Sequence, residues 1–333
     1  MPLHDKAFWF ICFFLIGVLL ASGIYAWENK WIVSIGVGFF VALLFLVMYL
    51  RMQKSFFAWL ALFSIAIVLG SGYYFEYTAR AEQTLFPQGK ASFSGVIIDV
   101  SHGFIAQDLT VFLDSPYQGK IRTATARYPA WEYGDRVSIE GVVKPPSDLQ
   151  KNFLIKDNIF GVVSFPKIEL LEKNQASKIK YALFKVKYFA EKSFAQSFPP
   201  QEAAFMSGLT LGETAEFSKE FRDKMKITGT THLVALSGYN ITIIAASVMT
   251  MLGAFGAGRR SRFIGSTAAI MAFVLMTGAE ASVVRAAIMG FIGLLAGQVS
   301  RNYSFRNAIA VAAFAMVIVN PKVLVWDIGF ELS

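Results

Sequence analysis

A histidine and a serine lie five residues apart near the start of a long apolar run, and together they could support nucleophilic catalysis. The run begins at His232, and Ser237 and Gly238 follow within it. A serine hydrolase needs hydrogen-bond contact between nucleophile and base. On a helix these two side chains point about 140° apart, and His4 and His102 are poorly placed to substitute. An intramembrane serine hydrolase is therefore disfavoured.

Metal chemistry has even less support. The 333 residues include three scattered histidines and a single cysteine, Cys12, which do not make a zinc ligand set. We therefore predict no metal and no other cofactor, and no enzyme within these residues. Cys12 alone also excludes a disulfide within the chain.

Polar residues inside the same apolar run form a second candidate site, which need not be catalytic. Ser237, Gly238 and Asn240 follow His232 closely, and polar groups at membrane depth must face protein or water. One interpretation is a broken helix that lines a passage. The other is a helix-packing site, where Ser and Gly allow close approach and Asn bonds across. Both interpretations remain open.

Two charges in later apolar runs, Arg285 and Asp327, are functional candidates because intramembrane charge is costly. Arg285 could equally snorkel to the interface. The candidates for lining a channel are His232, Ser237, Gly238, Asn240, Arg285 and Asp327. A stripe of small residues beside Arg285 predicts a helix-packing face; its members are Ser282, Ala286, Gly290, Gly293 and Gly297.

Lysines and aromatic residues interleave over 177–198. This pattern predicts a basic amphipathic helix that lies in the membrane interface. Its lysines would contact phospholipid headgroups, or would form a collar of cations and rings that binds single-stranded nucleic acid. The candidates for nucleic-acid contact are Lys178, Lys180, Lys185, Lys187 and Tyr188.

The elements that position these residues are predicted to be membrane helices. The chain is 55% hydrophobic and 16% charged, whereas soluble domains carry roughly 25% charged residues. Seven apolar runs are candidate membrane spans: 7–27, 31–50, 56–74, 232–255, 263–278, 282–299 and 308–319. A span that crosses a bilayer as a helix needs ~20 residues, and two of the later runs, 263–278 and 308–319, are short by that measure.

Positive charge orients these spans. Arg51 and Lys54 lie between the second and third runs, and the arginines of 259–262 and 301–306 lie between later ones. Because cytoplasmic loops are enriched in Lys and Arg, all three loops are predicted to be cytoplasmic. The N-terminus is then cytoplasmic and residues 85–175 lie outside, in a multi-pass membrane protein.

Residues 85–175 change character, because period-two alternation replaces long apolar runs. Val137 and Ile139 alternate with polar neighbours, as in a half-buried strand. Five strands, at 92–100, 108–114, 120–128, 136–144 and 160–171, predict a small OB-like barrel. Nucleic-acid binding and a barrel with no ligand are both consistent with its balanced charges.

The predicted fold is thus an α-helical integral membrane protein with an inserted small all-β (OB-like barrel) soluble domain. Its predicted parts are N-terminal helices (1–80), the β domain (85–175), interfacial amphipathic helices (176–230) and a second membrane domain (231–333). The last part ends inside apolar sequence, which predicts that the natural protein continues beyond residue 333.

Four motifs resemble those of the ComEC/Rec2 competence family, in the same order and spacing. They are Gly-Leu-Thr-Leu-Gly-Glu (208–213), His-Leu-Val-Ala-Leu-Ser-Gly (232–238), Ala-Ser-Val-Val-Arg-Ala-Ala-Ile-Met (281–289), and Asn-Pro (320–321) with Asp-Ile-Gly-Phe-Glu-Leu-Ser (327–333). One departure is Tyr239-Asn240, where the family has Leu-His. The resemblance implies an inner-membrane channel that passes single-stranded DNA into the cytoplasm during natural transformation.

The resemblance also implies partners: the lipid bilayer, single-stranded DNA, other competence proteins and further copies of the chain. Many family members carry a metallo-β-lactamase-like domain after the position where this chain stops, and nothing here resembles its metal cluster. The competing non-enzymatic hypothesis is a membrane scaffold whose OB-like domain binds a protein or nucleic acid without transport.

Overall fold

A computed structural model describes residues 3–25, 31–52, 55–82, 86–102, 106–147, 154, 156–213, 217–231, 234 and 236–331. By packing, the chain divides into two units. The first contains residues 1–83 and 295–333, and the second contains residues 84–294. The predicted membrane domain at 231–333 is thus split between the two units.

The first unit is built from apolar helices: α1 (Leu3–Tyr25), α2 (Trp31–Met52) and α3 (Ser55–Glu82). Helices α1 and α3 approach very closely at Gly17 and Gly70. A Cβ atom at Gly17 would lie 2.2 Å from the carbonyl oxygen of Ile67, and one at Gly70 would lie 2.2 Å from that of Phe14. The buried Ser71 hydroxyl donates to the Gly17 carbonyl at 2.9 Å. Small residues therefore fix this helix pair.

Three C-terminal helices complete the first unit. They are α10 (Phe305–Val319), α11 (Val323–Trp326) and α12 (Ile328–Glu331). Arg306 of α10 forms an ion pair with Asp5 of α1, and its guanidinium lies 4.7 Å from the centre of the Phe8 ring. The rings of Phe14 and Phe314 meet edge to face at 5.2 Å. Helix α10 is thus fixed to α1.

The second unit begins with a curled six-stranded sheet. Its strands are β1 (Gly89–His102), β2 (Ala106–Leu113), β3 (Lys120–Ala126), β4 (Arg136–Val143), β5 (Ile159–Ser164) and β6 (Lys167–Glu172). The predicted strand at 160–171 is wrong in one respect, because it is two strands. Phe165 adopts a left-handed φ of 48° just before Pro166, and the strand is interrupted there: β5 pairs with β3, whereas β6 pairs with β4.

The order of the strands in the sheet is β5-β3-β2-β1-β4-β6. All neighbours are antiparallel except β3 and β5, which are parallel. Beyond β4, Lys144 forms an antiparallel bridge with Val162 of β5, through two N–H···O bonds of 3.0 and 2.9 Å. The inward-facing side chains form one apolar core that includes Ile97, Leu109 and Ile139.

Helices follow the sheet: α4 (Lys178–Ser197), α5 (Pro200–Leu211), α6 (Lys219–Ile227), α7 (Gly238–Ala254), α8 (Arg259–Met276) and α9 (Ala281–Gln298). Buried Ile241, Ile270 and Val283, one each from α7, α8 and α9, belong to one apolar cluster. Each of the seven predicted spans overlaps a helix, although the helix within 232–255 begins only at Gly238.

Among the described residues, three helical segments are long and apolar enough to cross a membrane: Asp5–Gly23, Phe56–Ala81 and Ala281–Gln298. Shorter apolar helices occur at Gly38–Met52, Gly238–Ala254 and Phe305–Val319. Helix α8 is less apolar because Arg259, Arg260 and Arg262 occupy its first turn. Helix α7 is short because it begins later than the sequence predicts.

Candidate functional site

Three of the four sequence motifs meet in the second unit, at the residues 208–213, 236–240 and 282–286, which we call the motif junction. Leu236 is at its centre and is almost fully buried. The Ser282 hydroxyl donates to the Leu236 carbonyl at 2.9 Å. A Cβ atom at Gly212 would lie 2.5 Å from a methyl of Leu236. Gly212 and Ser282, which are 70 positions apart in the sequence, thus both contact Leu236.

Gly212 satisfies two requirements at the junction. It ends α5 in the left-handed conformation, with φ of 76°, and its N–H donates to the Gly208 carbonyl at 3.0 Å. Glycine is the usual residue at such a helix end because it carries no Cβ. Here a side chain would also collide with Leu236. Both effects require glycine.

Helix α7 begins at Gly238, so the prediction of a helix from His232 is wrong. Ser237 has extended backbone angles, and its hydroxyl accepts a hydrogen bond from the Tyr239 N–H at 3.3 Å. An N-cap serine supplies an acceptor that the first helical N–H groups lack. This capping preference overrides the apolar pattern. His232 lies outside the described residues, and Gly238 is at the helix end rather than inside it.

Asn240, in the first turn of α7, links this helix to α5. Its side-chain amide donates to the Leu209 carbonyl at 3.4 Å. Ser237 and Gly238 are exposed, as is 71% of Tyr239. The junction therefore combines tight contacts on one side with exposed polar groups at the start of α7.

The small-residue stripe of α9 lies partly against α7. A Cβ atom at Gly238 would lie 3.3 Å from that of Ala286, and one at Gly290 would lie 3.5 Å from Ile241. At Gly297, among the described residues, a Cβ atom would meet no packed neighbour from elsewhere in the fold within 4 Å. The N-terminal half of the small-residue stripe on α9 therefore contacts α7. Gly293 belongs to the same helix.

Arg285 is half-buried on α9, next in sequence to Ala286. Because Ala286 faces Gly238, Arg285 lies at the same end of the helix pair as the start of α7. Asp327 is elsewhere, in the first unit. Its carboxylate accepts a hydrogen bond from the Phe330 N–H at 3.1 Å and so caps α12. Lys322, which sequence reasoning did not single out, is buried five residues before it.

The nucleic-acid candidates lie on α4, and they divide into two groups. Lys178, Lys185 and Tyr188 are exposed and Lys180 is half-exposed. Lys187 instead faces protein: its ammonium lies 2.9 Å from Glu213 Oε2 and 3.9 Å from Glu191 Oε1, and only 14% of its side chain is exposed. Lys187 therefore holds α4 in place rather than presenting charge to solvent.

Glu213 is a residue whose role sequence reasoning missed. It follows Gly212 directly, and it also accepts a hydrogen bond from the Ser101 hydroxyl of β1 at 3.4 Å. Burial lowers the pKa of Lys187, but the carboxylates of Glu213 and Glu191 outweigh this effect, so the pKa is raised overall. Glu213, the last residue of the motif at 208–213, thus connects the end of α5 to the sheet and to α4. The only signal in the sequence was its place in the motif.

Metal-ligand clusters of three or more His, Cys, Asp or Glu side chains do not occur within the described ranges.

Two comparisons connect the chain to known proteins. The family model described as "Competence protein" matches residues 209–333. ComE operon protein 3 of Bacillus subtilis (strain 168) is 29% identical over 142 residues, which are 42% of this chain and 18% of that relative. The match thus covers less than a fifth of the relative's length. No solved structure matches significantly.

Proposed function

We propose that this chain is a competence protein of the ComEC/Rec2 type and that it acts in DNA uptake, because it matches the competence family model and ComE operon protein 3. In this proposal it is a multi-pass protein of the bacterial inner membrane that passes single-stranded DNA into the cytoplasm. The observation that carries the proposal is the competence match over 209–333, which contains most of the motif junction.

The helices support a membrane location. Three helical segments have the length and hydropathy of a membrane span. Arginines cluster at the start of α8, and Arg301 and Arg306 lie on either side of the start of α10. By the positive-inside rule these clusters face the cytoplasm. The β domain is then extracytoplasmic, where it would meet incoming DNA.

The strand pairing supports an OB-like β domain. In it β1 pairs with both β2 and β4, β3 runs parallel to β5, and the Lys144–Val162 bridge connects the end of β4 with β5. OB-folds bind oligonucleotides and oligosaccharides. Together with the exposed lysines of α4, this domain would hold a single strand near the membrane.

The motif junction would form part of the strand path. Ser237, Gly238 and Asn240 place polar groups at the start of α7, and Arg285 lies at the same end of α9. Polar groups beside apolar helices are tolerated where they border water. The competing hypothesis is a scaffold, in which these groups only hold helices together.

Transformation counts test the proposal. The chromosomal gene is replaced by alleles that encode Asn240→Ala or Arg285→Ala, with Asn302→Ala and Arg222→Ala as exposed controls of the same residue types. We expect the first pair to lose transformants by orders of magnitude while the protein stays in the membrane fraction. Normal transformation in both, or loss of the protein from the membrane, would contradict a role in the path.

A further inference from the structure

A cavity of about 430 Å³ lies between the β domain and helix α4, within the second unit. Small-molecule pockets are typically roughly 300–1,000 Å³, so its size suits a compact organic group. One side is the loop between β3 and β4, and the other is α4. Neither side was predicted to form a pocket.

Five aromatic side chains line the cavity. Trp131 and Tyr133 come from the loop, and Tyr181, Phe184 and Tyr188 come from α4. The rings of Tyr133 and Phe184 already stack, with centres 5.0 Å apart and an angle of 24° between their planes. Aromatic walls favour a flat, conjugated ligand.

The loop that carries Trp131 is held rigidly. Gln107 of β2 is fully buried, and its amide donates to the carbonyls of Ala126 at 2.8 Å and Pro129 at 2.7 Å. Its side-chain oxygen accepts from the Trp131 N–H at 3.3 Å. The pocket is therefore preformed on this side, which reduces the entropy lost on binding.

The charged groups of the cavity suit a neutral ligand with polar edges. Three carboxylates (Glu132, Glu191 and Glu213) and two ammonium groups (Lys185 and Lys187) line it. This net negative lining disfavours a phosphate inside. A cationic ligand is disfavoured as well, since Lys187 already lies against Glu213 and Glu191.

We propose that this cavity binds one nucleobase of single-stranded DNA, stacked among the aromatic rings with its polar edge toward Lys187, Glu191 and Glu213. The ammonium donates to base carbonyl or ring-nitrogen acceptors, and the carboxylates accept from base amino or imino groups. The phosphates stay outside, near exposed Lys178 and Lys185. This assignment rests on the proposed function, because it takes its ligand to be the DNA strand.

Binding of a short oligonucleotide tests the pocket. The full chain in nanodiscs is titrated with a fluorescein-labelled hexanucleotide of mixed sequence and with an abasic hexamer of the same length. Tyr188→Ala removes a ring that is 61% exposed, so the fold should tolerate it. Tyr128→Ala and Phe189→Ala are the controls, because both rings are more exposed and neither lines the cavity.

We expect Tyr188→Ala to weaken binding of the hexanucleotide roughly tenfold, as when one base–aromatic stack is lost. The controls should bind like the wild type, and the abasic hexamer should bind all four proteins equally weakly. A 5-iodouracil hexamer should cross-link to cavity residues in the wild type.

An unchanged affinity of Tyr188→Ala together with cross-links only outside the cavity would overturn the pocket. An effect of Tyr188→Ala on binding to anionic vesicles, with none on the hexanucleotide, would also overturn it and would assign the surface to lipid. Neither result would affect the transformation test at Asn240 and Arg285, so the failure of the pocket and that of the proposed function are distinguishable.

Discussion

The ammonium of Lys187 lies 2.9 Å from the carboxylate of Glu213, and both side chains are more than four-fifths shielded from solvent. This ion pair joins the middle of α4 to the residue that follows the αL end of α5. Because Glu213 also accepts from Ser101 of β1, the pair connects the sheet to the helices that precede the motif junction.

Removing one partner of this pair should be costly. Lys187→Met leaves the shielded carboxylate of Glu213 without its main counter-charge, and breaking a buried pair in this way costs about 3–5 kcal/mol. The partial exposure of this pair places it at the lower end of that range. Chemical unfolding of the chain in detergent measures the loss. The double variant Lys187→Met/Glu213→Leu should recover most of it; a double variant as unstable as the sum of the two single variants would contradict the pairing.

The Lys187–Glu213 pair also predicts how the stability of the chain depends on pH. The pKa of Lys187 is raised in the folded chain, so its stabilising charge is fully present below the unfolded lysine pKa of about 10.4. It is lost only as pH rises through the higher folded value. The stability difference between wild type and Lys187→Met should therefore be constant from pH 6 to 9 and shrink above about pH 10.5. A difference that already shrinks between pH 6 and 9 would show that another group titrates in the pair.

Substitution of Gly212 by alanine should lower the free energy of unfolding for two separate reasons. A non-glycine residue in the left-handed region costs about 1–2 kcal/mol, and Gly212→Ala also brings a Cβ against Leu236. Adding Leu236→Ala should relieve the collision and leave the backbone strain, although it removes apolar burial of its own. A thermodynamic cycle of the two variants, measured by thermal unfolding, should give a favourable coupling. Additive losses would contradict the contact.

Much of the secondary structure was predictable because it depends on sequence patterns within single segments. Long apolar runs, such as 31–50, predicted helices, and alternation at Val137 and Ile139 predicted β4. The start of α7 was not predictable from periodicity, since Ser237 caps a helix inside a run that reads as continuous. The Lys187–Glu213 pair and the aromatic cavity were missed because both join residues that are distant in sequence. Charge periodicity on α4 could not separate Lys187 from its exposed neighbours.

The exposed lysines of α4 predict a salt dependence of oligonucleotide binding. For single strands the slope of log affinity against log salt changes by about 0.7 for each neutralised phosphate. Lys178→Gln/Lys185→Gln should therefore flatten the slope by about 1.4 when binding of an oligonucleotide is titrated at several salt concentrations. Lys90→Gln, an exposed lysine on β1, is the control. Equal slopes in the wild type and the double variant would remove α4 from the phosphate contact.

The proposed topology predicts which residues face outward. Cys12 is the only cysteine, so Cys12→Ser provides a background for single labels. Ser115→Cys, in an exposed turn of the β domain, should react with an impermeant thiol reagent in intact cells stripped of any outer membrane. Ser261→Cys, among the arginines of α8, should react only after lysis. The reverse pattern would overturn the topology.

Photo-crosslinking during uptake tests the central claim most directly. A benzoylphenylalanine replaces the exposed ring of Tyr239, the neighbour of Asn240, or exposed Ile264 of α8 as a control. Illumination while cells take up labelled DNA should attach the strand at position 239 and not at 264. Protein–protein cross-links alone at 239, in cells that still import DNA, would show that the start of α7 packs against helices and does not border the strand.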